Sequence, residues 1–123
     1  MVGNRVLVVD DDCVINLELN EYLKASGFEV ESAYSGSTAL EALRRCPPWA
    51  LVTDLDLGRG PDGFEVARQA RLVCPGLPVV YISGSRAGRH AAQGVAGSEF
   101  FAKPCESRRI VEALNRAMRL GAA

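Results

Sequence analysis

Short apolar runs alternate with longer amphipathic ones along the whole chain, and that alternation limits the fold more than any other feature. A run such as Arg5–Asp10 (RVLVVD) is apolar at consecutive positions, so a strand built from it must be covered on both faces. Crossover helices on the two sides of a parallel sheet supply that cover. Ala50–Leu55 and residues 77–83 (LPVVYIS) are runs of the same kind, and Phe100–Ala102 is a shorter one. Phe28–Ala33 instead alternates, in the manner of an edge strand.

The segments between the runs read as helices. Residues 14–26 place Ile15, Leu19, Tyr22 and Leu23 at helical spacing, with Gly27 as the stop. Residues 35–45 (SGSTALEALRR) begin on serine caps and end before Pro47-Pro48. Asp62, with Glu65 three residues on, opens a helix that runs to about Val73. The segment 86–97 (RAGRHAAQGVAG) is the weakest helix and is expected to be the most mobile. Gly88, Gly94 and Gly97 each cost it about 1 kcal/mol relative to alanine. Residues 106–120 form the last, with Ile110, Val111, Leu114 and Met118 facing inward. Five βα units without a linker or repeat predict a single doubly wound domain over residues 1–123, with no output domain.

Composition excludes several function classes. No apolar run approaches the roughly 18–20 residues that span a bilayer, and the N-terminus has no signal-peptide pattern, so a cytoplasmic protein is expected. Cys13, Cys46, Cys74 and Cys105 are spaced too widely for a zinc site and read as reduced thiols. The only histidine, His90, lies in a Gly/Ala-rich segment and reads as solvated. Residues 1–70 hold 12 acids and 6 bases, whereas residues 71–123 hold 3 acids and 8 bases. The basic part lacks interleaved aromatics and a helix-turn-helix pattern, which argues against nucleic-acid binding.

In such a sheet, ligands sit outside the carboxyl ends of the strands. The first strand ends in Asp10-Asp11-Asp12, the third in Asp54 with Asp56 beyond it, the fourth in Ser83-Gly84 and the fifth in Lys103-Pro104. Three carboxylates on one rim repel one another and invite a hard divalent cation, most naturally Mg²⁺. An Asp carboxylate can also act as the nucleophile in phosphoryl transfer, with metal, ammonium and hydroxyl stabilising the transferring group. Asp12 fits a helix N-cap better than a metal ligand.

The motifs VLVVDDD, LVTD, the DG before the third helix, VVYISG and FFAKP stand in this order along nearly the whole chain. Together they resemble the response-regulator receiver domains of two-component signalling. The resemblance implies a flavodoxin-like (βα)5 fold with a five-stranded parallel sheet in the order 2-1-3-4-5. It implies that Asp54 is the phosphoacceptor and that Asp10 and Asp11 hold Mg²⁺ together with Asp54 and the backbone carbonyl of Asp56. Ser83 takes the position of the switch hydroxyl, Lys103 that of the phosphate-contacting lysine and Phe100 that of the switch aromatic. A cis peptide at Lys103–Pro104 is also implied. So is a partner, a sensor histidine kinase or histidine phosphotransfer protein, because the chain has no P-loop of its own. The signal is expected to leave through a protein-binding surface around the segment 86–97, the fifth strand and the last helix. Arg86, Arg89, Arg108, Arg109, Arg116 and Arg119 give that surface a basic character. The downstream protein target is left open, as is a homodimer. The only chemistry implied is the chain's own aspartyl phosphorylation and dephosphorylation.

The chain departs from the family pattern after Asp54. Gly58 stands where a proline is usual, and Gly63 lies one residue further from the aspartate than usual. The loop is therefore longer and glycine-rich, which predicts flexibility. Arg59 within it is a candidate to approach the phosphoryl group or the kinase, against a plain solvated arginine. Cys105 stands where the family often has an aromatic after Lys-Pro, and Ser85 and Asp56 stand at positions that in the family flank the path of an attacking water. A second reading takes LVTDLDLG as a haloacid-dehalogenase phosphatase motif. Gly58 and the motif's place on the third strand weigh against it. A third reading, a phosphorylation-independent binding module, conflicts with the intact Asp/Asp/Ser/Lys set.

Overall fold

The protein is described by a computed structural model over residues 4–84 and 93–122, with side chains as far as Arg119 in the last helix. The strands are β1 (Arg5–Val9), β2 (Glu29–Ala33), β3 (Ala50–Asp54), β4 (Val79–Ser83) and β5 (Glu99–Ala102). Among the described residues there are four helices: α1 (Cys13–Ala25), α2 (Gly36–Arg45), α3 (Gly63–Val73) and α4 (Ser107–Ala122). The helix expected over 86–97 falls largely outside the described residues, as do Ser85, Arg86, Arg89 and His90. All strand pairs are parallel, in the order β2-β1-β3-β4-β5, which is the flavodoxin-like arrangement expected from the sequence.

The period-two alternation of the strands sorts the core into two layers. Val6 and Val8 of β1, Val52 of β3 and Ile82 of β4 pack with Leu19 and Leu23 of α1 and with Ile110 and Leu114 of α4. Their neighbours Leu7, Val9, Leu51 and Tyr81 point the other way, against Ala39 and Leu43 of α2 and Phe64 and Ala67 of α3. Strands β3 and β4 are buried at every position, as their unbroken apolar runs require. Each fully buried Leu, Val or Phe contributes roughly 1.5–3 kcal/mol of transfer free energy. At the sheet edge, Glu31 of β2 pairs with both Arg5 and Arg45.

Helix ends follow local chemistry. Asp12 caps α1 by accepting from the backbone N–H groups of Val14 and Ile15. Ser35 caps α2 and Asp62 caps α3 in the same way. Two inward positions differ from the sequence expectation. The buried stripe of α1 runs through Asn16, Leu19 and Leu23 and leaves Tyr22 exposed on its flank. In α4, Ala113 is buried whereas Met118 is exposed. A helix of 16 residues is longer than strands of four or five residues, so helical period alone does not fix which of its positions meet the sheet.

Candidate functional site

Strand register brings the acids together. Val9 of β1 pairs with Thr53 of β3, so Asp10 and Asp54 stand side by side where the two strands end. Ligand oxygens of Asp10, Asp11 and Asp54 lie within 4.8 Å of one another, with Asp10 and Asp54 buried and Asp11 exposed. Lys103 reaches them from beyond β5, its backbone N–H held at 2.9 Å by the Ser83 carbonyl. Its Nζ donates to Asp54 Oδ2 at 2.9 Å and to Asp10 Oδ2 at 3.1 Å. The second oxygen of each acid accepts a backbone N–H, from Asp12 at 2.9 Å and from Asp56 at 3.2 Å.

Electrostatics at the cluster are finely opposed. Burial raises the Asp10 pKa above its ordinary value, and the Asp12 N–H and the Lys103 charge only partly offset that rise. Burial also works against the Lys103 ammonium. The Asp54 hydrogen bond and the charges of Asp10 and Asp54 outweigh it, and the lysine pKa is raised. The cluster thus combines a firmly charged cation with an acid whose ionised form the fold disfavours. A further cation would relieve that condition.

The remaining expected residues are placed less directly. Ser83 is fully buried as the last residue of β4, one step beyond Ile82, the register partner of Asp54. Phe100 pairs with Tyr81 and packs against the α2/α3 layer. Asp56 is exposed in the loop after β3. In that loop Gly58 and Gly60 adopt positive φ angles of 75° and 86°, which favour glycine. Leu57 between Asp56 and Gly58 is nonetheless buried, so the loop is anchored despite its glycines. Arg59 is exposed. Lys103–Pro104 is cis. Cys105 is half-buried, and burial raises its thiol pKa. It lines a cleft of about 340 Å³ between α1 and α4 with Ile15, Leu19, Ile82, Lys103 and Ile110. On the expected basic surface, Arg108 pairs with Glu106 and Glu112, and Arg116 with Glu99. Arg109 lies over the Phe101 ring.

Sequence reasoning missed Asn16. Its fully buried amide donates to the carbonyls of Asp10 and Ala33, each at 3.0 Å, and so ties the end of β1 to the end of β2 beneath the acids. A polar residue three before Leu19 on the apolar stripe was the available signal. Asn16→Ala should destabilise the fold by about 2 kcal/mol, because two buried carbonyls lose a donor. Urea denaturation with an unchanged m-value would show the effect, and a loss below roughly 0.5 kcal/mol would refute it.

A family model described as "Response regulator receiver domain" matches residues 6–115. The chain belongs to the response-regulator receiver family. Among curated proteins, this receiver is 36% identical over 102 residues to the response regulator MprA of Mycobacterium ulcerans (strain Agy99). That match covers 81% of this chain and 44% of the relative, so the receiver spans less than half the length of the curated relatives it matches. Among solved structures, a response regulator receiver protein from Sinorhizobium medicae WSM419 superposes with a TM-score of 0.91 at 34% identity, covering 95% of each chain. The receiver domain of NtrX from Brucella abortus has a TM-score of 0.82 at 29% identity, covering 93% of this chain and 98% of that one. The family match and the LVTDLDLG motif on β3 leave the phosphatase reading without support. Among the described residues no helix is long and apolar enough to cross a membrane.

Proposed function

We propose that this receiver accepts a phosphoryl group on Asp54 from the phosphohistidine of a partner kinase or phosphotransfer protein, acting in the cytoplasm. The observation that carries the reading is the Lys103 ammonium bridging Asp10 and Asp54, two buried carboxylates of the three-acid cluster. One Asp54 oxygen forms the new P–O bond while the P–N bond of phosphohistidine breaks and the imidazole keeps that electron pair. Lys103, already within hydrogen-bond reach of Asp54, offers its charge to a phosphoryl oxygen. Ser83, at the end of β4, supplies the hydroxyl that turns toward the product, and Phe100 follows it by rotating.

The donor set fits Mg²⁺: oxygen ligands only, with three carboxylates convergent on a rim where one of them is exposed. Asp10, Asp11 and Asp54 would hold the ion, with the Asp56 carbonyl. When bound, Mg²⁺ supplies positive charge to the phosphoryl oxygens. Output passes to a downstream protein through the surface of β5 and α4 and the segment before them.

Incubation with Mg²⁺ and acetyl phosphate, read by intact mass, tests the assignment. Wild type should gain one phosphoryl group and Asp54→Asn none. A gain that survives in the variant would refute the nucleophile, as would no gain in either protein where a control receiver is labelled.

A further inference from the structure

Residues 55–62 cross from the acidic cluster to the N-terminus of α2, a helix that contributes no side chain to that cluster. Where they arrive, two backbones meet with nothing between them. A Cβ built on Gly36, the first residue of α2, would lie 2.1 Å from the Pro61 carbonyl oxygen and 2.9 Å from its carbon. No side chain can occupy that space unless Pro61 or α2 moves. Next along, a Cβ on Gly60 would stand 3.4 Å from the Ser37 hydroxyl, and one on Gly58 would stand 4.0 Å from Asp11 Oδ2. The loop is therefore bracketed by α2 on one side and by an acid of the cluster on the other.

Both ends of the loop are pinned. A Cβ on Gly63 would lie 2.2 Å from the Asp54 carbonyl oxygen, and the Gly63 N–H donates to the Leu55 carbonyl at 3.0 Å. Leu57 is buried between those points. Gly63 has little room to shift, so the stretch from residue 60 back to 56 is the part of the loop left to follow a displaced Pro61. The bare backbone of Gly36 gives the loop a seat outside the cluster.

We propose that Gly36 is a positioning residue: its missing side chain seats Pro61 and thereby sets the place of Asp56 in the phosphorylation site. This rests on the reading of that site as a Mg²⁺-dependent phosphoacceptor. Gly36→Ala replaces no carboxylate, neither Lys103 nor the capping Ser35, and alanine is a better helix former than glycine. Positioning contacts around a metal typically account for 10–100-fold in affinity.

Calorimetric titration of MgCl2 into wild type and Gly36→Ala, with amide NMR spectra of both proteins free of Mg²⁺, tests the inference. The expected result is a cooperative thermal transition in both, about tenfold weaker Mg²⁺ binding in the variant, and amide shifts reaching Asp56 and Gly58. Equal affinity with shifts confined to residues 35–40 would overturn it, since α2 and not the loop would then have yielded. If Gly36→Ala does not fold, Ser37→Leu presses on Gly60 from an exposed position. Weaker Mg²⁺ binding there supports the inference, and unchanged binding overturns it. If wild type itself does not bind Mg²⁺, the metal reading fails. The Mg²⁺-free spectra then decide the seat alone, shifts at Asp56 and Gly58 supporting it and their absence refuting it.

Discussion

Lys103→Met should slow the labelling of Asp54 by acetyl phosphate by about a hundredfold or more, the scale seen when one preorganised donor is removed from a developing oxyanion. The same variant should lose stability. Its ammonium is the shared partner of Asp10 and Asp54, which are 1% and 5% exposed. Removing one member of a buried ion pair costs about 3–5 kcal/mol, and the partial exposure of the lysine reduces this to roughly 1–3 kcal/mol. The pH dependence separates this contribution from a packing defect. The folded Lys103 pKa lies above the ordinary 10.5. The lysine's contribution is therefore complete below that value and disappears as pH rises through the raised one. In acid it fades again as Asp10, whose pKa burial raises, takes up its proton. In urea titrations of both proteins from pH 4 to 11 the gap should be widest in the middle of the range and narrow toward both ends. A gap of constant size across the range would show that the loss is not electrostatic.

Asp10→Asn should have the opposite effect on stability. The wild-type pKa is raised from 3.8, chiefly by burial, and the Lys103 charge does not restore it. Below 3.8 the carboxyl is protonated in folded and unfolded chains alike, and no penalty exists. As pH rises through the window between 3.8 and the raised folded value, the unfolded chain releases its proton first and wild type loses stability. Above that window the penalty is complete. Asp10→Asn should therefore melt a few degrees higher than wild type at neutral pH, on the scale of about 1 kcal/mol, and the advantage should vanish in acid. Added Mg²⁺ should reverse the order, because ligand binding stabilises only the protein that can bind. Thermal melts at neutral and acidic pH, with and without MgCl2, check each part. A lower melting temperature for the variant at neutral pH without Mg²⁺ would refute the argument.

Both predictions concern residues visible in the sequence, but their unequal burial was not. Asp10, Asp11 and Asp12 form one run of identical side chains. Only the cap role of Asp12 follows from local rules, since the residue before a helix has orphan N–H groups to satisfy. The fold buries Asp10 against Lys103 and leaves Asp11 exposed. Lys103 is 93 positions from Asp10, so their contact depends on the placement of β5 two strands away from β3. Asn16 was hidden for a related reason. Helical spacing marks which positions face inward, but not whether an inward polar group will find two carbonyls to hold.

The loop after Asp54 divides in the same way. Its glycines and extra residue were legible, and they suggested flexibility. Tertiary packing shows Leu57 buried and Pro61 resting on Gly36, a contact between segments that share no sequence signal. By itself the sequence determined the five parallel strands, the caps at Asp12, Ser35 and Asp62, and the gathering of acids and lysine at the strand ends. Those features depend on side-chain period and on backbone groups within a few residues. Only the tertiary structure decided which acid is buried, which amide clamps β1 to β2 and what the loop leans on. Each of those depends on the register and approach of distant segments, which no local pattern encodes.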